Sequence, residues 1–212
     1  MPDILLFDLD GTLIDSAPGI LDTFATALAR AGIAPVVPLD QSLIGPPLHV
    51  ILSRIAGIED AGTVERLANF FREEYDSSGY LKTLVYPGID ETLRSLASSG
   101  SKMFIVTNKR IRPTLRILNM LDWTSLFAGI HALDSVSPVF ASKAALIRWL
   151  LEKHDIPGQD ACLIGDTPDD AQAAHENGLQ FIGVSWGYGR FSPDVLRDLV
   201  VLDNAAAIAR LC

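Results

Sequence analysis

An apolar run near the amino terminus, Ile4–Phe7, ends at once in two carboxylates and a glycine, Asp8, Asp10 and Gly11. Four consecutive apolar residues are typical of a strand that is buried on both faces, as in a parallel sheet. In extended backbone, residues two apart point to the same side, so the two carboxylates repel each other unless a cation lies between them. Oxygen ligands of this kind suit Mg²⁺. The alternative interpretation is a loop in which one aspartate caps the next helix.

Helical spacing dominates the next part of the chain. Apolar side chains recur every three or four positions over 16–31 and again over 64–75. Gly32 is a natural end for the first helix, and a turn at 43–48 is expected to open another helix with proline in its first turn. Because no convincing strand interrupts this region, we predict a small all-helical domain over residues 15–83.

Strands and helices alternate strictly in the rest of the chain. Such alternation is typical of an α/β fold with a Rossmann-like parallel sheet and helices on both faces. We therefore predict an α/β core domain made of residues 1–14 and 84–212, with the helical domain inserted after its first strand. The strands are expected at 103–107, 129–133, 161–165, 181–184 and 199–202, and the helices at 88–99, 112–121, 142–154 and 168–177, with two short helices in the tail.

Composition narrows the classes of partner. The chain has 212 residues, 49% of them hydrophobic, and a net charge of -9, which disfavours both nucleic acid and anionic membrane surfaces. Two cysteines make no disulfide framework. The sequence shows neither a signal peptide nor an apolar run long enough to span a bilayer. We expect a cytoplasmic protein, monomeric or homodimeric, that binds neither nucleic acid nor membrane.

Polar side chains follow the other predicted strands at the points where they end. Thr107 and Asn108 close the second core strand, and Asp166 follows the fourth, with Asp170 four residues later. Ligands of open α/β sheets bind beyond these carboxyl ends, so we expect the side chains to converge on one site. The alternative for the two aspartates is helix capping, which explains one of them better than both.

Cations stand where helices are expected to begin. Lys109, Arg110 and Arg112 precede or open one helix, and Lys143 lies in the first turn of another. Positive charge there opposes the helix dipole, and a bound phosphate would remove the conflict. We interpret Arg112 as a solvated surface residue and Lys143 as a phosphate ligand.

The sequence resembles the haloacid dehalogenase superfamily of phosphohydrolases in four motifs that occur in order. They are DLDGT at 8–12, Thr107-Asn108, Lys143 and GDTPDD at 165–170. The resemblance is greatest to the phosphoglycolate phosphatase branch, which segments 44–48 and 183–189 also resemble. One departure is Ala144, which stands where many members have a proline after the lysine, and it weakens the assignment of a particular substrate.

The resemblance implies a role for each motif residue. Asp8 would attack phosphorus and form an aspartyl-phosphate, while Asp10 would protonate the leaving oxygen and then activate water. Thr107, Asn108 and Lys143 would bind the phosphoryl oxygens. The implied cofactor is Mg²⁺, held by the carboxylates of Asp8 and Asp166, by the backbone carbonyl of Asp10, and by Asp170 either directly or through hydrogen bonds.

The resemblance also assigns a role to the helical insert. It would be a cap domain that excludes water and contacts the leaving group, with Gly45 and Pro46 as candidate substrate-binding residues. An ordinary turn at the start of a helix explains these two residues equally well. The loop at 186–189 has two interpretations: it lines the core side of the pocket, or it is structural, with glycines that serve its turns. We favour the second.

The function that follows is a Mg²⁺-dependent phosphatase acting on a small phosphorylated metabolite such as phosphoglycolate. A 5′-nucleotidase, or a sugar-phosphate phosphatase or mutase, would use the same core residues. A non-catalytic binding protein on this scaffold is the alternative from another class. The presence of both Asp8 and Asp10 argues against it, because such proteins can lose the nucleophile or the acid.

Overall fold

A computed structural model describes residues 4–192 and 199–210 of the chain. Over these residues the strands are β1 (Ile4–Phe7), β2 (Ile14–Asp15), β3 (Leu84–Val85), β4 (Lys102–Thr107), β5 (Gly129–Ala132), β6 (Ala161–Gly165), β7 (Gln180–Val184) and β8 (Val200–Leu202). The helices are α1 (Ala17–Ala31), α2 (Leu48–Ala56), α3 (Ala61–Ser77), α4 (Ile89–Ser98), α5 (Ile111–Met120), α6 (Lys143–His154) and α7 (Pro168–Glu176).

Six strands form one sheet in the order β5-β4-β1-β6-β7-β8, and every neighbouring pair is parallel. Strand β1 therefore lies between β4 and β6. Its last residue, Phe7, pairs with Ile105 of β4 and with Ile164 of β6. The register places the carboxyl ends of these three strands side by side, and it confirms the predicted α/β class with a parallel sheet.

Both faces of the sheet are buried, which explains the unbroken apolar runs of its strands. Leu6 and Phe104 pack on one face against Ile147 of α6. The alternate residues Leu5 and Phe7 point to the other face, and both are also buried. Because neither face of the sheet meets water, both sets of side chains along each strand are apolar, and polar and apolar residues do not alternate.

Residues 16–84 form a second compact unit, separate from the one made by the described residues up to 15 and from 85 onward. Its own core is built by α1, α2 and α3, with Phe24, Leu52 and Phe71 among the buried side chains. Gly32 ends α1 in the left-handed conformation, with φ 70°. None of the described helices is both long and apolar enough to cross a membrane.

Two local expectations differ from the structure, and a third falls partly outside the described residues. Helix α2 begins at Leu48, and Pro47 is its N-cap residue with φ -57° and ψ 140°, so neither proline lies in the first turn. Pro46 is disfavoured in a helix because it precedes another proline. Strands β2 and β3 were not expected, since two residues show no detectable alternation. The first of the two short helices expected in the tail falls partly on 193–198, outside the described residues, and the second is a 3-10 helix over Ala205–Arg210.

Two histidines, His131 of β5 and His154 at the end of α6, pack among aromatic rings. The His131 ring lies 5.2 Å from that of Trp149 and 6.3 Å from that of Phe104, and the His154 ring lies 4.9 Å from the latter. Neither Nε2 atom has a hydrogen-bond partner among the described residues. Burial lowers the pKa of His131 to about 4, and the nearby Lys153 charge acts in the same direction.

This depressed pKa predicts a pH-dependent stability. An unfolded histidine titrates near pH 6.5. Between about pH 6.5 and 4 the unfolded chain therefore binds more protons than the folded chain, and the free energy of unfolding falls as the pH is lowered. His131→Phe is expected to reduce the loss of stability between about pH 7.5 and 5, measured by urea denaturation at each pH. His175→Gln, at an exposed histidine, is the control. An unchanged pH dependence in His131→Phe would contradict this assignment.

Candidate active site

The ends of three neighbouring strands bring the first site residues together. Asp8 follows β1 directly, Thr107 is the last residue of β4, and Asp166 follows β6. The backbone N–H of Asp8 donates to the carbonyl of Ile164 at 2.9 Å, which extends the pairing of β1 with β6 by one residue. The parallel register therefore places these side chains at one edge of the sheet.

A tight turn after β1 returns the chain to this edge. Gly11 has φ +90°, a conformation that side chains rarely adopt, and its N–H donates to the carbonyl of Ile14 at 2.8 Å. A Cβ at this glycine would overlap the Asp166 carboxylate. The buried Thr12 hydroxyl donates to Asp166 Oδ1 at 3.3 Å. The glycine is therefore required both by the backbone conformation and by the space that the carboxylate needs.

Three carboxylates gather here with one ammonium group. Asp8, Asp166 and Asp170 are all buried and offer oxygens that lie within 4.8 Å of one another. Lys143 Nζ is 2.6 Å from Asp8 Oδ1 and also donates to Asp170 Oδ1. When all four groups are ionised, the cluster holds two negative charges that its lysine does not balance.

Burial and mutual repulsion shift the pKa values of this cluster. Burial raises the pKa of Asp8 well above its usual range, against the attraction of Lys143, and Asp170 and Asp166 raise it further. Burial and the charge of Asp170 raise the pKa of Asp166 to about 6. Burial acts to lower the pKa of Lys143, but the attraction of Asp170 and Asp8 outweighs it and raises that pKa. The lysine is therefore charged, and the carboxylates favour any additional cation.

The donor set fits a divalent ion. All the candidate ligands are carboxylate oxygens, which hard cations such as Mg²⁺ prefer, and a charge of +2 would balance the cluster. Hydrogen bonds already reach both oxygens of Asp170, both oxygens of Asp166 and Oδ1 of Asp8. These hydrogen bonds do not distinguish direct ligands from supporting residues. The roles of Asp8 and Asp166 as direct ligands and of Asp170 as their support stay a prediction.

Two helix starts hold charged residues of the cluster. Lys143 is the first residue of α6, whose amino end is capped by the Ser142 hydroxyl. Asp170 completes a reciprocal capping box with Thr167 at the start of α7. Asp170 is therefore a helix cap, as one interpretation of the sequence predicts, and it also lies in the carboxylate cluster. Its role toward a metal stays a prediction. The cap fixes the carboxylate that receives Lys143.

The loop after β7 binds Asp166 from the other side. The backbone N–H groups of Tyr188 and Gly189 donate to Asp166 Oδ2 at 2.8 and 3.1 Å. A Cβ at Gly187 would overlap the Asp166 side chain, and a Cβ at Gly189 would overlap the Asp166 carbonyl oxygen. Neither glycine has a positive φ. Gly187 therefore provides space for the Asp166 side chain and Gly189 for the Asp166 backbone. Neither of them is needed for a left-handed turn.

Aromatic side chains of the same loop anchor it. Trp186 Nε1 donates to the carbonyl of Thr12 at 3.0 Å, and the Tyr188 hydroxyl donates to Asp15 Oδ1 at 2.7 Å. The sequence contained a signal for this role, because glycines two apart alternate with large aromatic residues in Trp-Gly-Tyr-Gly at 186–189. That pattern favours close backbone approach beside fixed side chains, but it does not say what is approached.

Lys109, which follows the Thr107-Asn108 motif, contacts Asp10. Lys109 Nζ lies 3.0 and 3.3 Å from the two oxygens of Asp10. The Thr107 side chain is buried and accepts the Lys109 backbone N–H at 3.1 Å, while Asn108 is exposed. The sequence placed Lys109 in a group of cations without assigning it a partner, since the contact spans 99 positions of the chain.

Gly45 and Pro46 lie in the second compact unit, where both are exposed. A Cβ at Gly45 would contact nothing within 4 Å. The carboxylate cluster and Lys143 belong entirely to the first unit. The substrate-binding role of the two residues stays a prediction.

Most of this chain is similar to known proteins. A family model described as haloacid dehalogenase-like hydrolase matches residues 5–184. A phosphoglycolate phosphatase of Psychrobacter arcticus is 31% identical over 87% of this chain and 84% of its own length. A 5′-nucleotidase of Pseudomonas aeruginosa is 33% identical over 91% of this chain and 86% of its own. A solved structure described as a predicted phosphatase from Clostridium acetobutylicum has a TM-score of 0.83 at 28% identity, over 100% of this chain and 98% of that one.

The close approach of the loop predicts a specific effect of a single methyl group. Gly187→Ala forces the loop away from Asp166 and is expected to weaken divalent-metal binding by about 10-fold or more. Titration calorimetry with Mg²⁺ measures this. Gly62→Ala is the control, because that glycine lies in the first turn of α3 with only Asp60 Oδ2 nearby, at 3.4 Å. Unchanged metal binding in Gly187→Ala would show that the loop does not position the carboxylate.

Proposed function

This chain belongs to the haloacid dehalogenase-like hydrolase family, and we propose that it is a Mg²⁺-dependent phosphatase acting through an aspartyl-phosphate on Asp8. The observation that supports this most is the buried cluster of Asp8, Asp166 and Asp170 around Lys143. Phosphoryl transfer needs mainly positioning and neutralisation of charge. A nucleophilic carboxylate beside both a metal site and an ammonium group meets that need.

Metal binding is assigned to this chain's own oxygen ligands. Mg²⁺ would be held by the carboxylates of Asp8 and Asp166 and by the backbone carbonyl of Asp10, with Asp170 in support. When bound, the ion supplies charge neutralisation for the phosphoryl oxygens and for the attacking carboxylate.

The reaction proceeds in two steps that share one acid–base residue. Asp8 attacks phosphorus, the bond from phosphorus to the ester oxygen breaks, and Asp10 gives its proton to the departing oxygen. In the second step Asp10 takes a proton from water, which attacks the aspartyl-phosphate, releases phosphate and restores Asp8. Lys143 and Thr107, with Asn108, hold the phosphoryl oxygens in both steps.

The substrate is proposed to be a small phosphomonoester of the phosphoglycolate type. The named relatives include both a phosphoglycolate phosphatase and a 5′-nucleotidase at similar identity, so a nucleoside monophosphate is the second candidate. Sugar phosphates, cleaved or isomerised, would use the same core residues. The net charge of -9 supports a protein that binds its anionic substrate through local cations and does not bind nucleic acid.

Residues 15–83 are proposed to act as the cap domain, with Gly45 and Pro46 contacting the leaving group. Their compact core of three helices suits a unit that keeps its shape when it moves. We also propose a cytoplasmic location and a monomeric or homodimeric state. A non-catalytic binding role is disfavoured because the proposed nucleophile and acid are both present.

A single isosteric change tests the nucleophile. Asp8→Asn keeps the shape but removes the attacking charge, so phosphate release from p-nitrophenyl phosphate is expected to fall at least about 10⁴-fold. Circular dichroism checks that the fold is retained. The unmodified enzyme should lose its activity in EDTA and regain it with Mg²⁺. Near-native turnover by Asp8→Asn would refute the assignment, and no turnover by the unmodified protein on any phosphomonoester would favour the binding role.

A paired substitution tests the metal site. Asp166→Ala removes one proposed ligand and is expected to weaken Mg²⁺ binding by at least about 100-fold in titration calorimetry. Asp169→Ala, at an exposed neighbour, should leave binding unchanged. Equal affinities in the two variants would place the metal elsewhere. The same preparations, screened for phosphate release from phosphoglycolate, nucleoside monophosphates and sugar phosphates, rank the candidate substrates.

A further inference from the structure

The pair formed by Lys109 and Asp10 is more enclosed than an ordinary surface ion pair. The side chain of Lys109 is 6% exposed and that of Asp10 is 17% exposed. The ammonium lies within 3.3 Å of both carboxylate oxygens. Exposed ion pairs are often worth little, but a charge-assisted contact to both oxygens in a water-poor site fixes the orientation of a carboxylate.

Lys109 is not needed to start the following helix. Helix α5 begins at Ile111, and the backbone N–H of that residue donates to Asp134 Oδ1 at 2.7 Å. A positive charge beside a helix amino end is unfavourable unless something else compensates for it. The backbone of Lys109 is held by the Thr107 hydroxyl. The lysine is thus placed against its local electrostatic preference, with its ammonium directed at Asp10.

We propose that Lys109 is a positioning residue that holds the Asp10 carboxylate for the hydrolysis of the aspartyl-phosphate. The inference rests on the proposed function, in which Asp10 serves both steps. The ammonium contacts both carboxylate oxygens and so restricts the orientation of the group that takes a proton from water in the second step. In that step the water oxygen bonds to phosphorus, the bond to Asp8 breaks, and the water proton moves to Asp10.

This role predicts which step suffers when the lysine is removed. With an aryl phosphate such as p-nitrophenyl phosphate, the first step needs little help from Asp10, because nitrophenolate leaves without first taking a proton. The second step still requires an oriented carboxylate to take the proton of water. Lys109→Met should therefore slow hydrolysis more than formation of the aspartyl-phosphate. The phosphorylated enzyme should accumulate, and the steady-state rate should become the same for all substrates because they share this intermediate.

Rapid mixing of the Mg²⁺-loaded enzyme with p-nitrophenyl phosphate tests the inference. Lys109→Met is expected to release a burst of nitrophenolate close to one per enzyme, followed by a steady rate about 10- to 100-fold below that of the unmodified enzyme. Lys109→Arg, which keeps the charge, should restore most of that rate. Lys109→Gln, which keeps a hydrogen-bond donor, provides a second test if the methionine variant does not fold. Arg112→Met, which removes an exposed cation from α5, is the matched control.

Other outcomes overturn the proposal. An unchanged rate, or a slow rate without a burst, would show that Lys109 does not act on the second step. A raised KM confined to phosphoglycolate would show instead that the lysine binds the carboxylate of that substrate. These results leave the proposed function intact. That function fails separately if Asp8→Asn shows the same burst and the same turnover as the unmodified enzyme.

Discussion

The arrangement of this site depends on negative charge that the protein confines without fully balancing it. Three buried carboxylates share one ammonium, Lys143, and burial raises the pKa of Asp8 and of Asp166. Burying like charges together is costly, and one lysine removes only part of that cost. The same imbalance makes the pocket suitable for a divalent cation and, through that ion, for a phosphoryl group.

The parallel sheet itself brings these charged residues together. Strand β1 lies between β4 and β6, so residues from distant parts of the chain emerge at one edge without any special loop. Two helices then begin where the strands end. Lys143 opens α6, and Asp170 satisfies the start of α7 while it receives that lysine. The Asp170 side chain thus both caps a helix and takes part in the charged cluster.

Space around Asp166 is controlled by glycines that come from separate segments. Gly11, Gly187 and Gly189 leave room for the carboxylate and its backbone, and the last two belong to a loop whose N–H groups bind one of its oxygens. A carboxylate that accepts two backbone amides has a fixed orientation. The other oxygen, Oδ1, accepts the Thr12 hydroxyl at 3.3 Å.

The sequence by itself determined the α/β class, most strand and helix positions, and four residues that converge, Asp8, Lys143, Asp166 and Asp170. It could do so because apolar runs and the residues that end them are local patterns. It did not determine which charges pair. The contacts of Lys143 with Asp8 and of Lys109 with Asp10 span 135 and 99 positions. Only the strand order brings those partners together. The reason for Gly187 is equally non-local, since the atom that excludes a side chain there belongs to Asp166 on another strand end.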